Sequence, residues 1–434
     1  QYVAFCHFLN RSAIFKAHID DQDSKFEEDD FLPFPNLLKE EDAISDVQTN
    51  ELDHVVSAEK STITLLDRKE IYKLGDSIRV MIDLYDHAGH RKSSGGEMVR
   101  VILIGSDVPG TAVPGHVIDN GNGSYTAEIE ALWTGKSRVS ASLVYSRQSI
   151  AALYRMRRDM LSTRIIQAVF KSRNYHETTD CHPNITHLLK FRNYSACCNL
   201  TYVNSGMPWH CGRPRITRDR IPECIRHKSM YLLGDSTLRH WYEHYVLKIL
   251  ECKPTSEDWT KEKWHKPATC RNDKLNFSAG WFPHAQPFSA GNDENSYTLY
   301  SIARHIDDIP DNEEPLVVVH LFLHMVPYHH SVFQTKMELI RNSVVRLLRR
   351  NPNAKVFIKA PHTYLNSPAG RVRLNDFFGY LYTNILYKIF RGFHDKIVFL
   401  NNRDSSESLR LEWNHPPPYV VQAMVEQLFS YACA

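Results

Sequence analysis

Residues 229–249 read Ser-Met-Tyr-Leu-Leu-Gly-Asp-Ser-Thr-Leu-Arg-His-Trp-Tyr-Glu-His-Tyr-Val-Leu-Lys-Ile. The apolar run Met230–Leu233 ends at Gly234-Asp235-Ser236, and Leu238, Trp241, Tyr245 and Ile249 then recur on one helical face. The pattern predicts a strand, a tight turn carrying a serine, and a helix. Ser236 then stands at a helix N-terminus, where backbone N–H groups and the helix dipole favour negative charge. A nucleophile and an oxyanion both need that environment. The tripeptide alone does not decide this. Gly75-Asp76-Ser77 repeats it, but Ile78, Val80, Ile82 and Leu84 follow in alternation, so Ser77 enters a β-strand and is read as a turn without chemistry.

Working outward, strands and helices alternate after residue 226. The expected strands are Leu316–Leu323, Ala354–Lys359 and Lys396–Leu400; the expected helices are Ser331–Arg350, Arg373–Phe390 and Pro417–Tyr431. This rhythm predicts a parallel sheet wrapped by helices, with chemistry at the C-terminal ends of its strands. Ser236, His324, His362 and His415 all fall at or just after such ends. Residues 59–147 read instead as a β-sandwich. Ile78–Leu84 alternates, Val99–Ile104 is an apolar run, and Asp119-Asn-Gly-Asn-Gly-Ser124 is a strong turn signal before Tyr125–Ile129. Residues 1–58 are read as a flexible lead-in, acidic and polar around Leu32-Pro33-Phe34-Pro35. Residues 148–225 are read as a helix (Ser149–Ala168) followed by a cysteine-rich connector, and 226–434 as the α/β domain. The expected fold is thus multidomain α and β.

The formal charge of +2 gives no electrostatic case for nucleic acid or a membrane surface. The basic cluster Arg346-Leu-Leu-Arg-Arg350 is read as favourable charge at a helix C-terminus. No apolar run is long enough to span a bilayer. Because Gln1 is not a natural start, we expect the chain to begin after a removed signal or anchor. Of nine cysteines, five crowd between 181 and 224 without a Cys-x2-Cys pair, so a disulfide-stapled region is expected rather than a zinc site. Six Asn-x-Ser/Thr sequons, at Asn10, Asn122, Asn184, Asn193, Asn199 and Asn276, agree with passage through the secretory pathway.

Two blocks of this chain resemble the NXPE family, which joins neurexophilin-like and PC-esterase domains. The first runs from Asn122-Gly-Ser-Tyr-Thr-Ala-Glu through Trp133-Thr-Gly-Lys136 to Ser142-Leu-Val-Tyr145 and is similar to the neurexophilin-type Ig-like domain. The second runs from Tyr231-Leu-Leu-Gly-Asp-Ser-Thr-Leu-Arg-His-Trp241 to His415-Pro-Pro and Phe429-Ser-Tyr-Ala-Cys433, and is similar to the SGNH-like PC-esterase domain. The resemblance implies acyl ester transfer or hydrolysis on glycans. Its sharpest version is O-acetylation of sialic acids on mucin-type chains in the Golgi lumen or outside the cell, with acetyl-CoA as donor substrate and no bound cofactor. The neurexophilin half separately implies a neurexin-like partner. Where related chains read Leu-Gly-Gln-His, this one has Leu321-Phe322-Leu323-His324.

Ser236 is the candidate nucleophile and His415 the candidate base. Glu412, at the Asp-x-x-His offset, and Asp404, after the last strand, are rival candidates for the acid. The backbone N–H groups of Gly234 and Ser236 are candidates for the oxyanion. Asp235 either orients the turn or caps the helix. Arg239 is read first as a salt bridge within its helix and second as a contact to an anionic sugar. His324 is a candidate substrate contact. No metal site is expected, and His284 and His329-His330 are read as solvated loop histidines. Trp281-Phe282-Pro283 is a candidate for sugar stacking; Trp241 reads as core. The bland alternative for Ser236 is an N-cap. The rival to catalysis is a secreted binding protein with a degenerate α/β scaffold, which the absent Gly-Gln pair favours.

Overall fold

The computed structural model describes residues 52–107, 110–160, 166–172, 175–181, 202–203, 207–208, 216–255, 266–285, 300–311, 313–364, 374–393 and 396–433. Seven strands come first: β1 (Val56–Leu65), β2 (Ser77–Asp86), β3 (Met98–Gly105), β4 (Ala112–Pro114), β5 (His116–Asp119), β6 (Ser124–Glu130) and β7 (Ser137–Tyr145). They form two antiparallel sheets, one in the order β1-β2-β6-β5 and the other containing β4-β3-β7. The alternation expected for Ile78–Leu84 is the alternating burial of β2, and Ser77 opens that strand. Val80, Ile82, Val101, Leu103, Tyr125 and Ala127 pack from both sheets into one core, so the unit is a β-sandwich.

Helix α1 (Arg147–Met160) follows, shorter than the span expected for it, because a hairpin of β8 (Ile166–Ser172) and β9 (Tyr175–Cys181) begins before residue 168. The β-branched and aromatic residues of Ile166–Phe170 override the helical reading. Residues assigned to the connector also contribute β10 (Tyr202–Val203) and β11 (Met207–Pro208), which extend the second sandwich sheet beyond β4.

The remaining strands are β12 (Ser229–Gly234), β13 (Lys253–Pro254), β14 (Ala268–Asn272), β15 (Phe277–Pro283), β16 (Pro315–His320), β17 (Lys355–Lys359) and β18 (Ile397–Leu400). They build one sheet in the order β13-β14-β15-β12-β16-β17-β18. From β15 to β18 every pairing is parallel; β13 and β14 add an antiparallel edge. Helices α2 (Ile221–Ile225), α3 (Ser236–Trp241), α4 (Ile302–Asp307), α5 (His330–Arg350), α6 (Phe377–Ile389), α7 (Arg403–Ser408) and α8 (Pro418–Ala432) accompany it. Strand β12 lies between β15 and β16, so the chain leaves it to one side first and the other side later. Ligand crevices open at the C-terminal end of such a strand, which is where Ser236 stands.

Two described disulfides brace this unit. Cys224–Cys433 ties α2 to the end of α8, and Cys252–Cys270 ties the segment after α3 to β14. Tyr145, Ile150, Leu153 and Tyr154 share a single core with the sheet and its helices, so sandwich and α/β unit are packed as one body. No described helix is long and apolar enough to cross a membrane.

Candidate active site

Gly234 closes β12 at a point of close approach. A Cβ there would lie 1.8 Å from the carbonyl oxygen of His320. Only glycine lets the strand end against its neighbour, and the next residue then turns into the helix. Asp235 is the N-cap of α3, and its Oδ1 accepts from the Thr237 N–H at 2.9 Å. The Leu238 and Arg239 N–H groups bond to the Asp235 carbonyl. The N–H of Ser236 has no acceptor among the described residues, and so remains available to an oxyanion.

The Oγ of Ser236 lies 2.8 Å from Nε2 of His415, across 179 residues of chain. Both side chains are partly exposed. The His415 ring stacks on His240, with centroids 4.4 Å apart and planes at 26°. Three prolines, Pro416–Pro418, follow it and restrict the backbone on that side. Burial holds the His415 ring below an ordinary imidazole; the Asp235 charge opposes this, while Arg239 and His324 add to it.

The carboxylates expected to complete a triad are elsewhere. Glu412 is exposed and Asp404 sits in the first turn of α7; neither acts on His415, and no described residue bonds to its Nδ1. The carboxylate that does act on it is Asp235, buried beneath the serine. Asp235 thus takes the capping reading of its two and, being buried, does not line the site itself. Its Oδ2 accepts from the Phe322 N–H at 3.2 Å and lies 3.8 Å from Nε2 of His320. Burial pushes its carboxyl up, but His320, His324 and the Thr237 N–H outweigh this and leave it well below the usual carboxylate range. Phe322, in place of the family's small residue, is fully buried, and its N–H is used by Asp235.

Arg239 pairs with Glu243 in its own helix at 3.5 Å, the first of its two expected readings. His324 lies in a 3-10 turn, four residues beyond the end of β16, because that strand stops three residues sooner than expected. Its Nδ1 is 2.7 Å from Nε2 of His284, whose Nδ1 is 2.7 Å from the Ala285 carbonyl. A carbonyl only accepts, so His284 donates through Nδ1 and accepts from His324 at Nε2. Nε2 of a neutral His324 is then the ring's accepting nitrogen. His284 is buried rather than solvated, and burial brings it down to about 3. His329 and His330 are half-buried; His329 caps α5, and the two rings lie 3.9 Å apart. Trp281 is buried in β15 and Trp241 in α3, so neither faces a sugar. The large exposed aromatics near the site are Trp413 (69% exposed) and Tyr419 (58%), which flank His415. The sequence reading passed them over, although an aromatic two residues before the candidate base was the available signal.

A buried polar run lies under the site and was missed in part. Nδ1 of His320 donates to the Lys359 carbonyl at 2.9 Å, and Nε2 of His362 donates to the Asn414 carbonyl at 2.8 Å. His320 interrupts the apolar run of β16, and Lys359 ends β17; each is 1% exposed. The sequons Asn122 and Asn276 are exposed, whereas Asn10, Asn184, Asn193 and Asn199 lie outside the described residues.

Two family models match the chain. One, described as the NXPE family member 4-like C-terminal domain, covers residues 207–433; the other, Neurexophilin, covers 108–228. Among solved structures, similarity extends to a family two carbohydrate esterase from Clostridium thermocellum in complex with cellohexaose (13% identity, 82% of this chain and 92% of that one, TM-score 0.27). It also reaches a family 2 enzyme with carbohydrate binding domain from Corynascus thermopiles (Myceliophthora fergusii) (13%, 86% and 99%, 0.28). A third is an acetyl xylan esterase from the rumen bacterium Butyrivibrio proteoclasticus (11%, 89% and 96%, 0.25). TM-scores this low carry no argument about this chain's fold or chemistry. The first model spans more than half of the chain, in the region that carries Ser236 and His415, and this chain belongs to the NXPE family.

Proposed function

We propose that this protein is an acyltransferase or acyl esterase acting on carbohydrate hydroxyls, with Ser236 as nucleophile and His415 as general base. One observation carries the reading: Oγ and Nε2 lie at 2.8 Å, over the C-terminal end of the central strand and in contact with solvent. Oγ attacks the acyl carbon while its proton passes to Nε2; the bond from that carbon to the donor's leaving group (a thiolate or an alkoxide) then breaks, the leaving group takes the proton from Nε2, and an acyl-serine and a neutral His415 remain. The Ser236 N–H donates to the oxyanion. His415 then takes the proton of the acceptor hydroxyl, which displaces serine and returns Oγ–H. Water as acceptor makes the enzyme an esterase; a sugar hydroxyl makes it a transferase. The α/β unit is read here as SGNH-like on the strength of this arrangement.

The sharper form of the proposal is O-acetylation of sialylated glycans from acetyl-CoA in the secretory pathway, Golgi lumen or outside the cell. The two disulfides fit an oxidising compartment, and exposed Trp413 and Tyr419 beside His415 offer faces on which sugar rings can lie. The test is incubation with isotope-labelled acetyl-CoA and sialylated glycans, followed by mass analysis of the sugar. Ser236→Ala should reduce acetyl transfer by roughly a millionfold with folding intact. Unchanged acetylation in that variant refutes the nucleophile.

A second reading rests on the sandwich. Its sheets run first-second-sixth-fifth and fourth-third-seventh, the A-B-E-D and C′-C-F order of immunoglobulin-like domains. With the neurexophilin match, this supports a neurexin-like protein partner for that half.

A further inference from the structure

A continuous run of buried polar side chains starts beside Ser236 and ends beside His415. Asp235, His320, Lys359 and His362 are each 3% exposed or less. They come from the ends of β12, β16 and β17 and the loop after β17. Oδ2 of Asp235 faces Nε2 of His320 at 3.8 Å, and that nitrogen has no hydrogen-bond partner among the described residues. Nδ1 of His320 donates to the Lys359 carbonyl at 2.9 Å. Nζ of Lys359 donates to the Ala360 carbonyl at 3.2 Å and reaches Nδ1 of His362 at 3.4 Å. Nε2 of His362 donates to the carbonyl of Asn414, the residue before His415. The proton placement is forced. The Asn414 carbonyl takes the Nε2 hydrogen, so a neutral His362 has a bare Nδ1, and only a donor such as the Lys359 N–H can sit there.

Stability does not explain this arrangement. Aliphatic side chains of similar volume usually serve a buried core as well as ionic ones or better. Nor, among the described residues, does a carboxylate orient His415 through Nδ1, the usual device in a Ser-His pair. The ring is held instead by His240 on its face, by prolines behind it, and by whatever fixes the Asn414 carbonyl.

We propose that Lys359 and His362 are positioning residues that take on the orienting task for which no carboxylate stands among the described residues, anchoring the Asn414 carbonyl and thereby seating His415 on Ser236. The inference rests on the reading of that pair as catalytic, and its test separates the two. p-Nitrophenyl acetate serves as acyl donor, a fluorophosphonate probe reports Ser236 reactivity, and hydrogen exchange of the peptide spanning residues 409–415 reports the anchor.

Two substitutions at His362 isolate the hydrogen bond. His362→Leu removes the Nε2–H, while His362→Gln keeps an amide N–H at the same reach. His362→Leu should lower kcat roughly 10- to 100-fold with KM within about twofold, slow Ser236 labelling in proportion, and speed exchange of the 409–415 peptide. His362→Gln should restore most of all three. Lys359→Met removes the donor facing Nδ1 of His362; where it keeps the parent's circular dichroism and a cooperative melt, it should lose kcat in the same sense. Equal kcat in a folded His362→Leu, or a His362→Gln no better than His362→Leu, overturns the proposal. If the parent protein's Ser236 is not labelled at all, the enzymatic reading fails by itself. Exchange then decides the anchor alone: faster exchange in His362→Leu than in His362→Gln upholds it, and equal exchange overturns it.

Discussion

At the residue scale, the site turns on two side chains whose chemistry depends on one proton. Oγ of Ser236 loses it and Nε2 of His415 must be neutral to take it. Burial, with Arg239 and His324 adding to it, holds the His415 ring below the ordinary histidine value despite the Asp235 charge. The base is thus neutral over a wider range than a free imidazole. The acid limb of kcat/KM should fall below about pH 6.5, with a plateau through neutrality. A pH–rate profile on p-nitrophenyl acetate measures it, and a midpoint at or above pH 7 contradicts the assignment. Trp413 makes a separate prediction. A sugar ring lying on an exposed indole gains on the order of 1 kcal/mol from the contact. Trp413→Ala should therefore raise KM for a glycan acceptor by about fivefold and change kcat less. Isothermal titration with the free glycan would show the same loss, and unaltered affinity removes Trp413 from the acceptor site.

At the element scale, α8 follows directly on the loop that carries His415, packs against α3, and is tied back to α2 by Cys224–Cys433, which closes a loop of 209 residues. Chain-entropy arguments give such a cross-link up to about 5 kcal/mol. The double variant Cys224→Ser with Cys433→Ser should lose a few kcal/mol in denaturant midpoints while keeping Ser236 reactive under native conditions. A shift under about 1 kcal/mol would mean that α8 is held by packing alone. That pairing could not be read from the sequence, where Cys224 stands with the crowded cysteines and Cys433 stands alone. Spacing along a chain says nothing about which ends a fold brings together. The parallel strands were legible because buried strands are continuous apolar runs: Lys355–Lys359 falls inside the run expected for it, and Pro315–His320 overlaps the run expected over Leu316–Leu323, starting one residue earlier and stopping three residues sooner. Ala268–Asn272 and Phe277–Pro283 were not, since their small, polar and aromatic residues form no continuous apolar run, and Trp281 stood instead as a candidate for sugar stacking. Ser236 and His415 were legible as single residues. The column beneath them was only partly so, because His320 and Lys359 sit in apolar runs where one polar residue reads as an interruption.

At the scale of the whole molecule, sandwich and α/β unit are joined by buried charge as well as by apolar packing. Arg100, on β3, bonds to Asp376 at 2.5 Å and to the Tyr380 hydroxyl at 3.2 Å, and lies 3.7 Å from Glu407. Tyr145, on β7, donates to the other Asp376 oxygen at 2.9 Å. Arg403 pairs with Glu407 at 3.7 Å, so the cluster balances two cations against two carboxylates. Removing one member leaves an uncompensated buried charge, which costs about 3–5 kcal/mol; replacing an ion pair with apolar groups costs little. Arg100→Met should therefore destabilise the protein by that amount, and adding Asp376→Leu should recover most of it. Because the cluster bridges the two units, its loss should also uncouple them. The parent should unfold in one transition, whereas Arg100→Met should show a second in which β1–β7 melts first, resolved by calorimetry and by exchange of sandwich peptides. A single transition with an unchanged midpoint would show that apolar contact through Tyr145, Tyr154 and Phe377 is sufficient to hold the halves together, and that Arg100 is carried at no cost.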